Sequence, residues 1–284
     1  MFTFSIPLTE PFDFQDAITS HGWWMLAPNA WDPKKERFYR TFTLRNNATI
    51  VVCVYMKPSC LQVVTEVKLT ETDRDEILHQ VSWMFRVNEP FEPFYTLCQT
   101  YNELTDLPKR RQGRLLRSPS LFEDIVKVLL TTNTRWNQTI QMAEKLTYHL
   151  GEKAHGFGRE FHSFPTPEKI LSAGEAFLTE HVRTGYRSNY ILDAAHKAVD
   201  NPARYVQPSS INHFREIKGI GPYAMNTLAM IVGRYDGVPV DSEYKKHVIG
   251  TYFNGIAPSK SDLESVYDKW GDYKYLAYWF DHYK

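Results

Sequence analysis

A chain of 284 residues and 33.2 kDa exceeds one average domain and points to two, at about 100 to 200 residues each. Hydrophobic residues make up 43% and charged residues 23%, a globular balance that excludes wholesale disorder and a coiled coil. Lys plus Arg (33) equals Asp plus Glu (33), so attraction to a polyanion has to come from local patches, not from a histone-like excess of charge. The three cysteines, Cys53, Cys60 and Cys98, are too few for a disulfide framework and lack the paired spacing of a zinc or iron-sulfur site, which favours a reducing cytosol. Met1 to Phe14 has no basic start followed by an apolar run, and no stretch approaches about 18 continuous apolar residues. The expectation is a protein neither secreted nor membrane-spanning.

In chain order, Phe38 to Lys68 alternates as strands do, through Phe38, Arg40, Phe42 and Leu44, an Asn46-Asn47 turn, Thr49 to Tyr55, then Leu61, Val63, Thr65 and Val67. This predicts a small antiparallel sheet. Thr72 then caps a helix whose apolar face is Ile77, Leu78, Val81, Met84 and Phe85. Ser118-Pro119-Ser120 opens a strongly apolar helix over Leu121 to Leu130, and Thr139 to Leu150 continues the pattern to a stop at Gly151. Gly151 to Thr166 holds three glycines and little periodicity and reads as a loop. Pro167 to Leu178, Tyr190 to Val199, Ile211 to Lys218, Tyr223 to Val232, Lys245 to Phe253 and Asp262 to Trp270 follow as short helices. The fold class is α+β: a small antiparallel sheet domain over residues 1–105, then an all-α domain over residues 106–284.

The most informative stretch is Ile217-Lys218-Gly219-Ile220-Gly221-Pro222-Tyr223-Ala224, where two glycines flank one apolar residue and a proline opens a helix. Proline at the first helical position wastes no backbone donor, and the glycines allow a tight turn and close approach to a ligand. An anion at that helix N-terminus gains backbone hydrogen bonds and the favourable end of the dipole. As Gly-x-Gly-x-x-Ala the stretch also matches a dinucleotide fingerprint, with Asp241 near the distance of a ribose-binding acid. That fold needs a buried strand ahead of the glycines, whereas Ile211 to Ile217 is polar with apolar positions three apart, a helical period. The pattern is therefore helix, glycine turn, helix: a hairpin that grips nucleic-acid phosphates without reading bases, or an ordinary turn between helices.

One helix later comes Gly237-Val238-Pro239-Val240-Asp241. Together the two segments resemble the helix-hairpin-helix (HhH-GPD) DNA glycosylase superfamily, in which a Val-Pro-Val-Asp-like segment presents an aspartate to the target nucleotide. The 8-oxoguanine and alkyladenine branches are the most similar. Gly113-Arg114-Leu115-Leu116-Arg117-Ser118-Pro119, Thr131-Thr132-Asn133, Gly185-Tyr186-Arg187 with Tyr190, and Trp270-Gly271-Asp272-Tyr273 appear in the order of the 8-oxoguanine branch. The resemblance covers roughly residues 113–279 and implies a base-excision-repair enzyme acting on double-stranded DNA that carries a damaged base. It further implies a monomer without membrane attachment, cytoplasmic (nucleoid) in a bacterium and nuclear in a eukaryote.

What the resemblance assigns can be weighed against the chemistry. Cleaving an N-glycosidic bond leaves positive charge on the sugar, and a fixed carboxylate stabilises it; Asp241 is that carboxylate, able also to orient water, or the cap of the next helix, and the two roles can hold together. Bifunctional members carry a nucleophilic lysine where this chain has Tyr223, and a phenol cannot form an imine, so a monofunctional enzyme is expected; the alternatives are an 8-oxoguanine glycosylase/lyase, with Lys218 a remote substitute, and a catalytically silent hairpin protein that only binds DNA, against which the intact Asp241 argues. Lys218, Gly219, Gly221 and Tyr223 would bind DNA. Asn133 would fill the space vacated by the flipped nucleotide, or cap a helix, and Arg187 would contact the orphaned base, or lie on the surface.

The base-reading Gln and Phe of the 8-oxoguanine branch fall at Tyr278 and His282, neither of which matches. With Trp136, Tyr278 and His282 as candidate pocket residues, and Trp136, Tyr223, Tyr278 and Trp279 as aromatics near the site, or core, a cationic alkylated purine is favoured. Lys109, Arg110, Arg111, Arg114 and Arg117 form a basic run, either phosphate contacts or a solvated loop. No cofactor is required by the resemblance, and neither zinc nor an iron-sulfur cluster is implied. A structural K+ or Na+ on the backbone carbonyls of Arg215, Ile217 and Ile220 is.

Overall fold

The computed structural model describes residues 1–10, 12–44, 46, 48–101, 103–205 and 208–282. The period-two stretch forms β3 (Arg37–Thr43), β4 (Thr49–Lys57) and β5 (Cys60–Thr65), preceded by β1 (Phe2–Pro7), α1 (Phe14–Thr19) and β2 (Ala30–Asp32). All neighbours pair antiparallel in the order β1-β5-β4-β3-β2. The two outer strands escaped the sequence reading because β1 buries only Ile6 and β2 is three half-buried residues; pairing with distant strands makes them. Of the Asn46-Asn47 turn, Asn47 lies outside the described residues, while Asn46 Oδ1 accepts the Ala48 N–H at 3.0 Å.

α2 (Glu71–Met84) buries Ile77, Val81 and Met84, as the spacing requires, but starts two residues early because Thr70, not Thr72, accepts the Asp73 N–H. α3 (Glu92–Tyr101) and α4 (Asp106–Arg110) follow, then α5 (Leu121–Thr131) and α6 (Trp136–Leu150). The stretch read as a loop after Gly151 is a hairpin, β6 (Lys153–Gly156) with β7 (Arg159–His162), whose Ala154 and Phe161 cover Tyr39, Val51, Cys53 and Val64 on the outer sheet face. Four-residue strands carry too little pattern to be seen in one dimension.

The helical part continues with α7 (Pro167–Phe177), α8 (Arg187–Asp200), α9 (Pro222–Ile231), α10 (Ser242–Tyr252), α11 (Lys260–Ser265) and α12 (Lys274–His282). The helix expected over 211–218 is a 3-10 segment, Pro208–Glu216, and the one expected over 262–270 divides into α11 and a 3-10 turn, Asp268–Tyr273. No described helix is long and apolar enough to cross a membrane.

One core runs from Ile6 through the inner sheet face, α1, α2 and α5 to Tyr278 on α12, and joins both halves of the chain. At their junction α5 buries residues 121–130 completely, including three charged ones. Arg40 of β3 pairs with Glu123 (2.9 Å), Glu123 with Lys127 (2.6 Å), and Asp124 accepts the Trp23 indole N–H (2.7 Å) and the Ser118 N–H (3.0 Å). Each of these four buried groups thus has a partner, the condition under which a buried charge is tolerated.

Candidate active site

The glycine turn is built by α8 and α9. Gly219 has φ +85°, and a Cβ there would lie 2.3 Å from the Tyr190 ring of α8, so only glycine fits. Asp193 of α8 accepts the Lys218 N–H at 2.9 Å; burial alone would raise this carboxyl, but Lys197 and that N–H outweigh it and hold it below the ordinary range. Gly221 caps α9 with Pro222 at the first helical position, and a Cβ there would meet nothing within 4 Å. The N-terminus of α9 therefore opens to solvent. Lys218 is exposed, whereas Tyr223 is half-buried with its hydroxyl 3.4 Å from Thr131 Oγ1.

α9 also aims the next segment. The Asn226 side chain donates to Val238 O (2.9 Å), Val238 is buried, and the chain emerges at Asp241, whose Oδ1 accepts the Tyr244 N–H at 2.8 Å. Asp241 is thus the N-cap of α10, half-buried, and also lines a cavity of about 1640 Å³. The cap leaves the carboxylate available: one oxygen is held by the helix and the group faces the cavity.

The cavity lies between the two halves of the chain. Tyr223, Tyr275, Tyr278 and Trp279 line it from α9 and α12, and Trp136 lines it from α6. His21, Gly22 and Trp23, which the sequence reading missed, supply the opposite wall. A Cβ on Gly22 would lie 2.1 Å from the Trp136 ring, so the glycine lets the indole close down on the wall. Trp23 is fixed from behind by Asp124, and Trp279 by its N–H to Ser20 O (2.8 Å). The signal in the sequence was a glycine beside two tryptophans in a stretch without periodicity. Burial pushes the His21 imidazole down to about 3, so it is neutral and stands edge-on to Trp279. Burial and the nearby Asp13 raise the Asp16 carboxyl, also on the cavity, to about 6.

Asn133 sits at the cavity mouth, exposed, in a left-handed conformation (φ +45°), with Nδ2 3.4 Å from the Tyr186 hydroxyl. Arg187 is not a surface arginine. It is 7% exposed and donates to Thr132 O and Asn133 O (3.2 Å), so its visible role is to hold the Asn133 turn.

Three further expectations are corrected. His282 does not line the cavity; it stacks on the far side of Tyr278, which is itself 3% exposed. Arg114 and Arg117 are buried: Arg114 lies against Phe91 and pairs with Glu10, and Arg117 lies over Trp83 and donates to Ile231 O. Only Lys109, Arg110 and Arg111 of that basic run are exposed. They escaped the sequence reading because a run of charge does not reveal which members pack.

Arg215, Ile217 and Ile220 stand along the turn; the Ile217 carbonyl accepts the Ile220 N–H at 3.2 Å, which leaves it a second lone pair. Among the described residues no group of three or more His, Cys, Asp or Glu is placed to hold a metal ion.

No family model matches the chain. The N-glycosylase/DNA lyase of Saccharomyces cerevisiae is 22% identical over 286 residues, covering 86% of this chain and 76% of that protein. Among solved structures, a 3-methyladenine DNA-glycosylase from Archaeoglobus fulgidus superimposes with a TM-score of 0.78 at 19% identity, over 99% of this chain and 98% of that one. The 8-oxoguanine glycosylase/lyase of Clostridium acetobutylicum, in its apo form, gives 0.75 at 15% identity, over 99% and 96%. The chain has the α+β fold of these enzymes, and its homologues and structural neighbours are DNA glycosylases of the helix-hairpin-helix superfamily.

Proposed function

We propose that this chain is a monofunctional DNA glycosylase that extrudes a damaged base from a duplex and hydrolyses its N-glycosidic bond. The observation that carries the reading is Asp241: a carboxylate fixed by a helix N-terminus at the edge of an aromatic cavity, one helix beyond a solvent-exposed glycine turn. In this reading the open N-terminus of α9, with its dipole, holds a phosphate of the damaged strand. Asn133, rigid on the Arg187-held turn, occupies the vacated place in the stack. The extruded base enters between Trp136, Tyr223, Tyr278 and Trp279. Asp241 then stabilises charge developing on the sugar and orients the attacking water, while its second oxygen remains on the Tyr244 N–H.

A modified purine is the substrate class, with a cationic alkylated purine preferred, since aromatic faces favour a cation by about 0.5 to 2 kcal/mol and a cationic base leaves without a strong acid. Backbone oxygens are hard ligands, so the carbonyls of Arg215, Ile217 and Ile220 suit a monovalent cation that would stiffen the turn; no zinc, iron-sulfur cluster or other cofactor has a part. The chain would act as a monomer, in the nucleoid or nucleus according to its source. The lyase named in two of the similar proteins is the second reading, with Lys218 as nucleophile; its exposed position beyond the turn disfavours it.

The test incubates the protein with duplexes carrying different damaged bases and scores abasic sites and strand breaks separately. Abasic sites without breaks, and no covalent adduct on borohydride reduction, are expected. A trapped adduct would replace the monofunctional reading by the lyase, and the absence of base release from every duplex would remove both.

A further inference from the structure

Beside the Asn133 turn, sharing Thr134 with the aromatic cavity, lies a cleft of about 230 Å³ that the proposed chemistry does not use. Its walls are α6, through Gln138, Gln141 and Lys145, and the turn between α7 and α8, through Arg183 and Arg187. Three cations therefore meet in a small space. Arg187 is occupied by the carbonyls of Thr132 and Asn133. Among the described residues Lys145 and Arg183 pair with no carboxylate, although Lys and Arg are matched one for one by Asp and Glu in the chain as a whole and many of the other cations are paired. Arg183 is held in place by its backbone: it sits in the left-handed region (φ +66°), with its N–H on Leu178 O, at the end of the helical turn after α7.

Unneutralised cations with amide side chains beside them form an anion site, and a planar guanidinium with a flexible ammonium suits a phosphate. The same residue, Arg187, borders this cleft and holds the carbonyls of the Asn133 turn. An anion here would lie beside the turn that carries the residue placed in the gap left by the extruded nucleotide. In the proposed mechanism the turn at Gly219 serves the damaged strand and leaves the other one unheld.

We infer that this cleft binds a backbone phosphate of the undamaged strand, close to the orphaned nucleotide, through Lys145 and Arg183. The identity of the anion rests on the glycosylase reading; the anion site itself does not. Both side chains reach solvent, and neither belongs to the proposed catalytic or hairpin machinery.

The experiment measures binding of a lesion duplex to wild type and to a Lys145→Gln/Arg183→Gln double variant over a range of salt, with thermal unfolding as a check on folding. It is repeated with single neutral methylphosphonate linkages placed along either strand. The double variant should bind about tenfold more weakly, with the log-log salt slope shallower by about one. One methylphosphonate on the undamaged strand should weaken wild type by a similar factor and the double variant no further. Unchanged affinity and slope in the double variant, or a sensitive linkage found only on the damaged strand, would overturn the inference. A wild type that releases no base yet shows the linkage effect would remove the glycosylase reading alone, whereas one that releases base while the double variant binds normally would remove this inference alone.

Discussion

Asp241 has two attachments that substitution can separate. Asn keeps the oxygen that accepts the Tyr244 N–H, so Asp241→Asn should unfold within about 0.5 kcal/mol of wild type. It lacks the charge, and excision should fall about 10²- to 10⁴-fold in single-turnover assays. Asp241→Ala should lose the same activity and a further ~1 kcal/mol in denaturant titration. An Asn variant as active as wild type would end the carboxylate mechanism. The two glycines of the turn divide in the same way. Gly219→Ala forces a Cβ into the Tyr190 ring at a positive φ and should cost about 1 to 3 kcal/mol along with DNA affinity. Gly221→Ala has open space and an ordinary φ, so it should cost no more than about 1 kcal/mol as a poorer cap, yet weaken binding to damaged and undamaged DNA alike. Unchanged affinity in the Gly221 variant would refute phosphate contact at that turn.

Among the elements, α5 joins the two halves of the chain. Its inward face meets β3 through Arg40, Glu123 and Lys127, and its Asp124 holds the Trp23 that walls the cavity. Desolvation opposes charge on all three α5 groups. Arg40 and Lys127 nevertheless outweigh it at Glu123, whose carboxyl is held below the ordinary range, while burial leaves Asp124 raised. Because each charge depends on its neighbours, removing one strands the rest. Arg40→Met should destabilise by about 3 to 5 kcal/mol in urea titration, and Arg40→Met/Glu123→Gln by less than the sum of the single changes. Strict additivity of the two would mean that the pair is not coupled. The alternation of Phe38, Arg40 and Phe42 had marked Arg40 as facing the sheet's apolar side, yet nothing in β3 announced its partner 83 residues on.

At the scale of the whole molecule, acid should weaken the fold through His21. Its folded value of about 3 lies below the ordinary 6.5, so below roughly pH 6 the unfolded chain binds a proton that the folded chain refuses, and stability falls as the pH falls. The loss should approach ~1.4 kcal/mol per pH unit between about pH 6 and pH 4. Asp16 acts in the opposite sense: raised to about 6, it binds its proton more tightly when folded, so its contribution improves on acidification between about pH 6 and pH 4. The two partly cancel in wild type and separate in variants. In His21→Gln the stability gap to wild type should narrow on acidification from pH 7 to pH 5, as measured by denaturant unfolding at each pH. A gap independent of pH would show that the imidazole is not held neutral.

The sequence alone determined whatever depends on local chemistry. The period of two in β3 to β5 and the apolar face of α2 follow from burial on one side. The glycine turn follows from φ and close approach, and the start of the helix after it from Pro222 at the first helical position. The tertiary structure decided what depends on partners far along the chain. It put Arg114, Arg117 and Arg187 inside, because an arginine packs wherever carbonyls and rings await it. It stacked His282 on Tyr278, off the cavity lining, and it brought Gly22 against Trp136, more than a hundred residues distant, to close the cavity. A single strand of letters records side-chain preference, but which groups meet is set by the core that joins the two halves.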